Sequence, residues 1–122
     1  MKQCLIVDDS RVVRKVARRI LEGLQFQIEE ASDGDAALES CRRAMPDAIL
    51  LDWPTPSTSS ATFLRALRRE PEGQKPVVIF LAIENDVPHI SEAINCGAND
   101  YILKPFDRET LQATFDEVGL LN

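Results

Sequence analysis

The chain has 122 residues, of which 44% are hydrophobic and 28% charged, and its formal net charge is −6; these values describe one globular domain. Net negative charge argues against non-specific nucleic-acid binding and against adsorption to anionic membranes, because both require positive charge. No apolar run approaches the roughly 20 residues of a membrane span, and the first residues lack the layout of a secretory signal. We therefore expect a cytoplasmic protein with no nucleic-acid partner and no membrane insertion.

Five short apolar runs mark the predicted strands. Four are continuously hydrophobic, which is typical of strands buried on both faces of a parallel sheet. The other, Phe26-Gln27-Ile28-Glu29, alternates and indicates a more exposed edge strand. In chain order, the predicted strands span residues 4–7, 26–29, 47–51, 77–82 and 100–103.

Amphipathic segments between these runs predict five helices. The first follows Ser10, and its apolar face is predicted to comprise Val12, Val13, Val16, Ala17, Ile20, Leu21 and Leu24. Its opposite face is basic, with Arg14, Lys15, Arg18 and Arg19; we interpret it as solvated, and docking of a kinase or another partner is the alternative. Other helices are predicted near residues 35–45, 60–69, 87–96 and 108–118, with Ser10, Ser60, Asp86 and Asp107 as N-caps and Gly97 closing the fourth.

Strands that alternate with helices predict βαβ crossovers, and therefore an α/β fold with a parallel sheet covered by helices on both faces. In such sheets, ligands bind beyond the carboxyl ends of the strands. The residues that follow each strand are therefore the first place to look for chemistry.

Acidic side chains and one lysine occupy those positions. Asp8 and Asp9 follow the first predicted strand, Asp52 follows the third and Lys104 the fifth. Three close carboxylates repel one another unless a cation is bound, and oxygen ligation by few protein groups favours Mg²⁺. A carboxylate beside Mg²⁺ and an ammonium group is suited to accept a phosphoryl group, since both cations neutralise charge on the phosphoryl oxygens.

Several motifs resemble those of the CheY-type response-regulator receiver family over nearly the whole chain. They are Val7-Asp8-Asp9-Ser10, Leu51-Asp52-Trp53, Pro56, Gly97-Ala98-Asn99-Asp100-Tyr101 and Leu103-Lys104-Pro105-Phe106. The resemblance implies one receiver domain over residues 1–122. It also implies a flavodoxin-like, doubly wound sheet of five parallel strands in the order 2-1-3-4-5 with five helices.

The resemblance also implies roles for individual residues. Asp52 corresponds to the phosphoacceptor, which ligates Mg²⁺ together with Asp9, while Asp8 binds a metal-bound water. The backbone carbonyl of Pro54 is a further implied ligand. Lys104 corresponds to the lysine that pairs with the phosphoryl oxygens, and its bond to the following proline is cis in relatives.

The predicted switch departs from the family pattern. Relatives carry Thr or Ser at the end of the fourth strand, where its hydroxyl binds the phosphoryl group. Residue counts place Ala82 there, or Leu81 if the loop is shifted by one residue, and neither has a hydroxyl. Tyr101 corresponds to the aromatic residue that moves inward on activation. Loss of a hydrogen bond to a charged group, roughly 1.5–3 kcal/mol, predicts coupling weakened about ten- to a hundredfold. The loop after Asp52 also differs, with Ser60 in place of a glycine and Pro54 expected to stiffen it.

We therefore expect a single-domain response regulator that accepts a phosphoryl group from a histidine kinase or phosphotransferase. Its output would be contact with a protein target at the face formed by helix 4, strand 5 and helix 5, since no output domain is seen. The alternatives are a phosphoryl sink and a binding module that no longer depends on phosphorylation. We do not expect an enzyme; a metal-dependent phosphatase is disfavoured because Pro54 stands where an acid/base aspartate would be needed. Cys4, Cys41 and Cys96 lack metal or redox spacing and are interpreted as reduced, buried thiols.

Overall fold

The computed structural model describes residues 1–52, 60–83 and 87–121. The strands are β1 (Gln3–Val7), β2 (Gln27–Ala31), β3 (Ala48–Asp52), β4 (Val77–Ala82) and β5 (Asp100–Leu103). The helices are α1 (Arg11–Gly23), α2 (Gly34–Arg43), α3 (Ser60–Arg69), α4 (Val87–Asn95) and α5 (Arg108–Glu117). Every predicted strand and helix is present, and the predicted bounds differ from these by one or two residues at most.

The sheet has five parallel strands in the order β2-β1-β3-β4-β5. This confirms the predicted flavodoxin-like fold. Val7 pairs with Leu51, Asp52 with Leu81, and Ala82 with Leu103. Because all strands run the same way, their carboxyl ends meet at one edge of the sheet, where the candidate residues lie.

Alternate strand residues supply two separate hydrophobic layers. On one face, residues such as Val7, Leu51 and Phe80 belong to a core shared with α2, α3 and α4. On the other, residues such as Ile6 and Leu81 belong to a core shared with α1 and α5. Burial of nearly every residue of β1, β3 and β4 fixes the register at the carboxyl edge, because a slip by one residue would exchange the two faces.

Three of the predicted helix ends are confirmed. The hydroxyl of Ser10 accepts a hydrogen bond from the Val13 N–H at 3.2 Å, and the carboxylate of Asp107 accepts one from the Thr110 N–H at 2.9 Å. Gly97 ends α4 with a positive φ of 114°, which favours glycine. The predicted cap Asp86 lies outside the described residues.

Ser60 does not act as predicted. It is the first residue of α3 and almost completely buried, and its hydroxyl donates a hydrogen bond to the backbone carbonyl of Asp52 at 2.9 Å. The hydroxyl therefore connects the start of α3 back to the end of β3. The helix begins one residue earlier than a cap at Ser60 would require.

The prediction that Val12 and Val16 lie on the buried face of α1 is wrong. Val12 is 72% exposed and Val16 47% exposed, whereas Ala17 and Leu21 are fully buried as predicted. The sheet covers only a narrow stripe of α1, and a helix buries only the face that packs against its neighbours.

The three cysteines are free thiols. Burial raises the pKa of Cys4 to about 12 and that of Cys41 to about 11, as expected for unreactive core thiols. Cys96 is partly exposed, which corrects its assignment as buried, because it lies at the end of α4 rather than within the core. No helix in the described part of the chain is long and apolar enough to cross a bilayer.

Candidate metal centre at the carboxyl edge of the sheet

Three carboxylates converge where β1 and β3 end. Asp8 and Asp9 follow β1 directly, and Asp52 is the last residue of β3. One oxygen from each lies within 4.8 Å of the others. Asp8 and Asp52 are buried, whereas Asp9 is exposed, so the cluster opens to solvent on one side. The predicted convergence of these residues is therefore seen in the fold.

Asp8 shows why this cluster suits a cation. Its Oδ1 accepts a hydrogen bond from the Ser10 N–H at 2.8 Å, but its buried Oδ2 has no hydrogen-bond partner among the described residues. Burial raises the pKa of Asp8 to about 6; the Ser10 N–H opposes this shift and the neighbouring charge of Asp52 adds to it. A buried carboxylate oxygen without a partner is costly, and a cation would both satisfy it and favour the ionised form.

Lys104 completes the cluster from the other side. Its ammonium group contacts Asp52 Oδ1, and its backbone N–H donates to the carbonyl of Ala82 at 2.7 Å. The peptide bond between Lys104 and Pro105 is cis, as the resemblance implied. We call Asp8, Asp9, Asp52 and Lys104 the acidic pocket; in it, the Asp52 carboxylate lies beside two further carboxylates and one ammonium group.

The donor set fits Mg²⁺, which prefers oxygen ligands and is bound through few carboxylates while it retains water. Asp8, Asp9 and Asp52 would hold the ion. The proposed carbonyl ligand of Pro54 lies outside the described residues, as does Trp53.

We call the predicted switch residues, Ala82 and Tyr101, the switch pair; Ala82 contacts the pocket residue Lys104 through its backbone carbonyl, and Tyr101 lies on β5 opposite Phe80. Ala82 ends β4, one position beyond the residue that pairs with Asp52, and is buried. Its side chain is a methyl group, which cannot hydrogen-bond a phosphoryl oxygen. Tyr101 is 41% exposed, and its ring centroid lies 5.8 Å from that of Phe80. Tyr101 thus occupies an outward position.

Arg14 contributes to the site, although the sequence placed it on a solvated face. Its Nη1 donates a hydrogen bond to the backbone carbonyl of Asp8 at 2.5 Å, and its Nε pairs with Glu30 Oε1 at 3.0 Å. Its side chain is only 15% exposed. The available signal was weak: an arginine one turn into the helix after Asp8, and an acidic residue near the end of the edge strand.

Comparisons with known proteins agree with this geometry. The family model described as the response regulator receiver domain matches residues 4–116. Chemotaxis protein CheY-3 of Vibrio cholerae is 32% identical over 115 residues, covering 93% of this chain and 88% of its own. The phosphate regulon transcriptional regulatory protein PhoB of Escherichia coli is 33% identical over 117 residues, covering 96% of this chain. The chain spans about half the length of the PhoB proteins it matches; for the E. coli protein the share is 51%.

Solved structures show the same fold. Vibrio cholerae CheY4 superposes with a TM-score of 0.90 at 30% identity, covering 97% of this chain and 98% of its own. The receiver domain of the sensor histidine kinase PA1611 from Pseudomonas aeruginosa superposes with a TM-score of 0.87 at 28% identity, covering 95% of each chain. That domain has a magnesium ion coordinated in its active-site cleft.

Proposed function

Because the chain belongs to the response regulator receiver family, we propose that it accepts a phosphoryl group on Asp52 from a histidine kinase or phosphotransferase. The observation that carries this proposal is the acidic pocket. Asp52 is buried beside two further carboxylates and in contact with the Lys104 ammonium. A structural ion pair would need neither of the other two acidic groups.

The proposed reaction uses Asp52 as a nucleophile. A carboxylate oxygen of Asp52 forms a bond to phosphorus while the P–N bond of a donor phosphohistidine breaks, and the electron pair returns to the imidazole. Lys104 then pairs with a phosphoryl oxygen and stabilises the charge that develops there. The buried position of Asp52 limits the access of water to the product. The chain acts as a phosphoacceptor and not as an enzyme that turns over small phosphoesters.

Magnesium is the proposed cofactor. When bound, Mg²⁺ supplies charge neutralisation to the carboxylates and the incoming phosphoryl group. Support comes from the buried oxygen of Asp8, which has no hydrogen-bond partner among the described residues, and from the clustered oxygens of Asp8, Asp9 and Asp52.

The proposed output surface is the face formed by α4, β5 and α5. Large apolar side chains are exposed there, among them Val87, Ile94, Tyr101 and Leu103. Exposed apolar surface can bind a protein partner. We infer a protein target at this face, with the exposed position of Tyr101 belonging to the unphosphorylated form.

We also propose that phosphorylation of Asp52 is only weakly coupled to the conformational switch. Ala82 occupies the position where relatives use a hydroxyl, so the phosphoryl group lacks this link to β4. The same observation favours a second candidate, a binding module that acts without phosphorylation. A phosphoryl sink is a variant of the first candidate that requires no switch.

The test of phosphorylation uses Trp53, the single tryptophan of the sequence, which directly follows Asp52. Mg²⁺ and then beryllofluoride, a phosphoryl mimic, are added while Trp53 fluorescence is followed. We expect a saturable response to Mg²⁺ and a further change with beryllofluoride, with the beryllofluoride change absent in Asp52→Asn. A folded wild-type protein that responds to neither would refute the phosphoacceptor proposal and favour the phosphorylation-independent module.

A matched experiment separates the remaining candidates. Asp52→Asn should abolish signalling by a phosphorylation-dependent regulator and leave a phosphorylation-independent binder active. A phosphoryl sink should remove phosphoryl groups from its kinase. Beryllofluoride should not change its binding to any target.

A further inference from the structure

Arg14 connects the acidic pocket to the edge strand of the sheet. Its Nη1 donates to the carbonyl of Asp8 at 2.5 Å, and its Nε pairs with Glu30 Oε1 at 3.0 Å. The carbonyl of Asp8 belongs to the peptide bond that joins Asp8 to Asp9. The guanidinium therefore contacts the backbone between two proposed metal ligands and anchors it to β2.

This contact complements the other restraints on the turn after β1. The Asp8 N–H donates to the carbonyl of Ala31 at 3.1 Å, and the Asp8 carboxylate accepts from the Ser10 N–H at 2.8 Å. These bonds restrain the N–H and the side chain of Asp8, whereas Arg14 restrains its carbonyl. Asp9 is exposed, so the orientation of its carboxylate depends largely on the orientation of that peptide.

From this geometry we infer that Arg14, anchored by Glu30, is a positioning residue that presets the Asp8–Asp9 turn for binding of a divalent cation. The inference rests on the proposed function, because that function gives the cation its role. Arg14 contacts no ligand itself; it acts through the backbone that carries the ligands. Partners of this kind behind metal ligands typically change metal affinity about 10- to 100-fold when they are removed.

Arg18 provides a matched control in the same helix. It pairs with the other oxygen of Glu30 and donates to the carbonyl of Ile28 at 3.3 Å. It thus shares the anchor of Arg14 but contacts strand β2 and not the Asp8 carbonyl. A variant at Arg18 loses its ion pairs with Glu30 and Glu22 while the turn keeps its contact with Arg14.

The sign of the effect separates positioning from electrostatics. Removal of a positive charge near a cation site should strengthen binding of Mg²⁺ by reducing repulsion. Loss of a preset turn should weaken it. A weaker Mg²⁺ affinity in Arg14→Ala therefore cannot arise from the lost charge.

The first measurement is Mg²⁺ affinity by calorimetry on the unphosphorylated proteins. We expect Arg14→Ala to bind Mg²⁺ about tenfold more weakly than wild type, and Arg18→Ala to bind as wild type does. Arg14→Lys should also be weak, because an ammonium keeps the charge but lacks the planar fork that reaches both partners. Wild-type affinity in either Arg14→Ala or Arg14→Lys would overturn the inference.

The second measurement needs no metal. Amide hydrogen exchange at Ser10 should become faster in Arg14→Ala than in Arg18→Ala, because the turn loses one of its restraints. Equal exchange in the two variants would contradict the role of Arg14 whether or not Mg²⁺ binds. Absence of Mg²⁺ binding in the wild type, with exchange changed as expected, would instead refute the proposed cofactor. If Arg14→Ala fails to fold, Arg14→Lys and Glu30→Gln carry both measurements.

Discussion

The acidic pocket and the switch pair meet where the Lys104 N–H donates to the Ala82 carbonyl, but they differ in their polar connections. In the acidic pocket, Asp52 contacts Lys104, and Asp8 accepts from the backbone of Ser10. In the switch pair, Ala82 presents a buried methyl group and Tyr101 lies partly in solvent. Under the proposed function, phosphoryl transfer uses the charges within the pocket, whereas signalling to Tyr101 would use a polar link from the phosphoryl group to β4. The two properties can therefore vary independently in one fold.

Replacement of Lys104 should have the largest effect, because it removes the ammonium group that contacts Asp52. Loss of one group that stabilises developing charge typically costs about 10²–10³ in rate, and we expect Lys104→Ala to slow phosphorylation of Asp52 by at least about a hundredfold. The rate is measured by intact mass with a small phosphoramidate donor. Lys75→Ala is the control, since Lys75 is 51% exposed and pairs with Asp47 at the opposite end of the strands. Equal rates in the two variants would show that Lys104 takes no part in the transfer.

A hydroxyl at position 82 should provide a hydrogen bond between β4 and the phosphoryl group. We expect Ala82→Thr to increase the coupling of beryllofluoride binding to burial of Tyr101 about ten- to a hundredfold. The measurement is the fraction of protein with Tyr101 inward, from its ring resonances during a beryllofluoride titration.

Ala82→Val is the control for this substitution, because valine has nearly the same shape as threonine but no hydroxyl. Equal coupling in the two variants would mean that a hydroxyl at position 82 does not link the phosphoryl group to Tyr101.

Helix α5, which follows Lys104, is capped at its N-terminus by side chains of its own first turn. Asp107 and Thr110 exchange hydrogen bonds in a capping box at the start of α5. We expect Asp107→Ala to lower the free energy of unfolding by about 1 kcal/mol, as measured by denaturant unfolding. Gln112→Ala, on an exposed part of the same helix, should change it far less. A similar loss in both variants would show that the capping box is not the source of the loss in Asp107→Ala.

The smallest effect is expected at Glu30, which pairs with Arg14 next to the Asp8–Asp9 turn. Burial tends to raise the pKa of Glu30, but its ion pairs with Arg18 and Arg14 outweigh this and lower it. A lowered pKa in the folded state means that Glu30 stabilises the fold at neutral pH. This contribution is lost as the pH falls from the ordinary glutamate value of about 4.3 through the lowered pKa.

The test compares wild type with Glu30→Gln. The wild type should be the more stable at pH 7, and the difference should shrink towards strongly acidic pH, where both side chains are neutral. Denaturant unfolding at several pH values measures this difference, and a constant difference would show that the charge of Glu30 is irrelevant to stability.

The pattern of apolar runs was sufficient to predict an α/β fold with a parallel sheet and most of the pocket, whereas the strand order 2-1-3-4-5 was implied by the resemblance to receiver domains. Continuous hydrophobic strands such as β3 and β4 require a sheet covered on both faces, and parallel strands bring Asp8, Asp52 and Lys104 to one edge. Helix starts at Ser10 and Asp107 were predictable because capping is a local interaction between residues three positions apart. These features depend on sequence spacing and on the geometry of single elements.

Contacts between different helices and strands could not be predicted from sequence spacing. The sequence did not indicate that Val12 and Val16 would be exposed, because the width of the buried stripe on α1 depends on how that helix packs. It did not indicate that the Ser60 hydroxyl would reach the Asp52 carbonyl.

By itself, the sequence determined the order of strands and helices and the residues at the carboxyl edge, since periodicity and position along a strand are properties of the chain. Only the tertiary structure decided that Arg14 and Glu30 anchor the pocket turn, because their contact joins α1 to β2 across 16 residues. It also decided which side chains face solvent. Such contacts depend on the relative placement of packed elements, and spacing in sequence does not specify that placement.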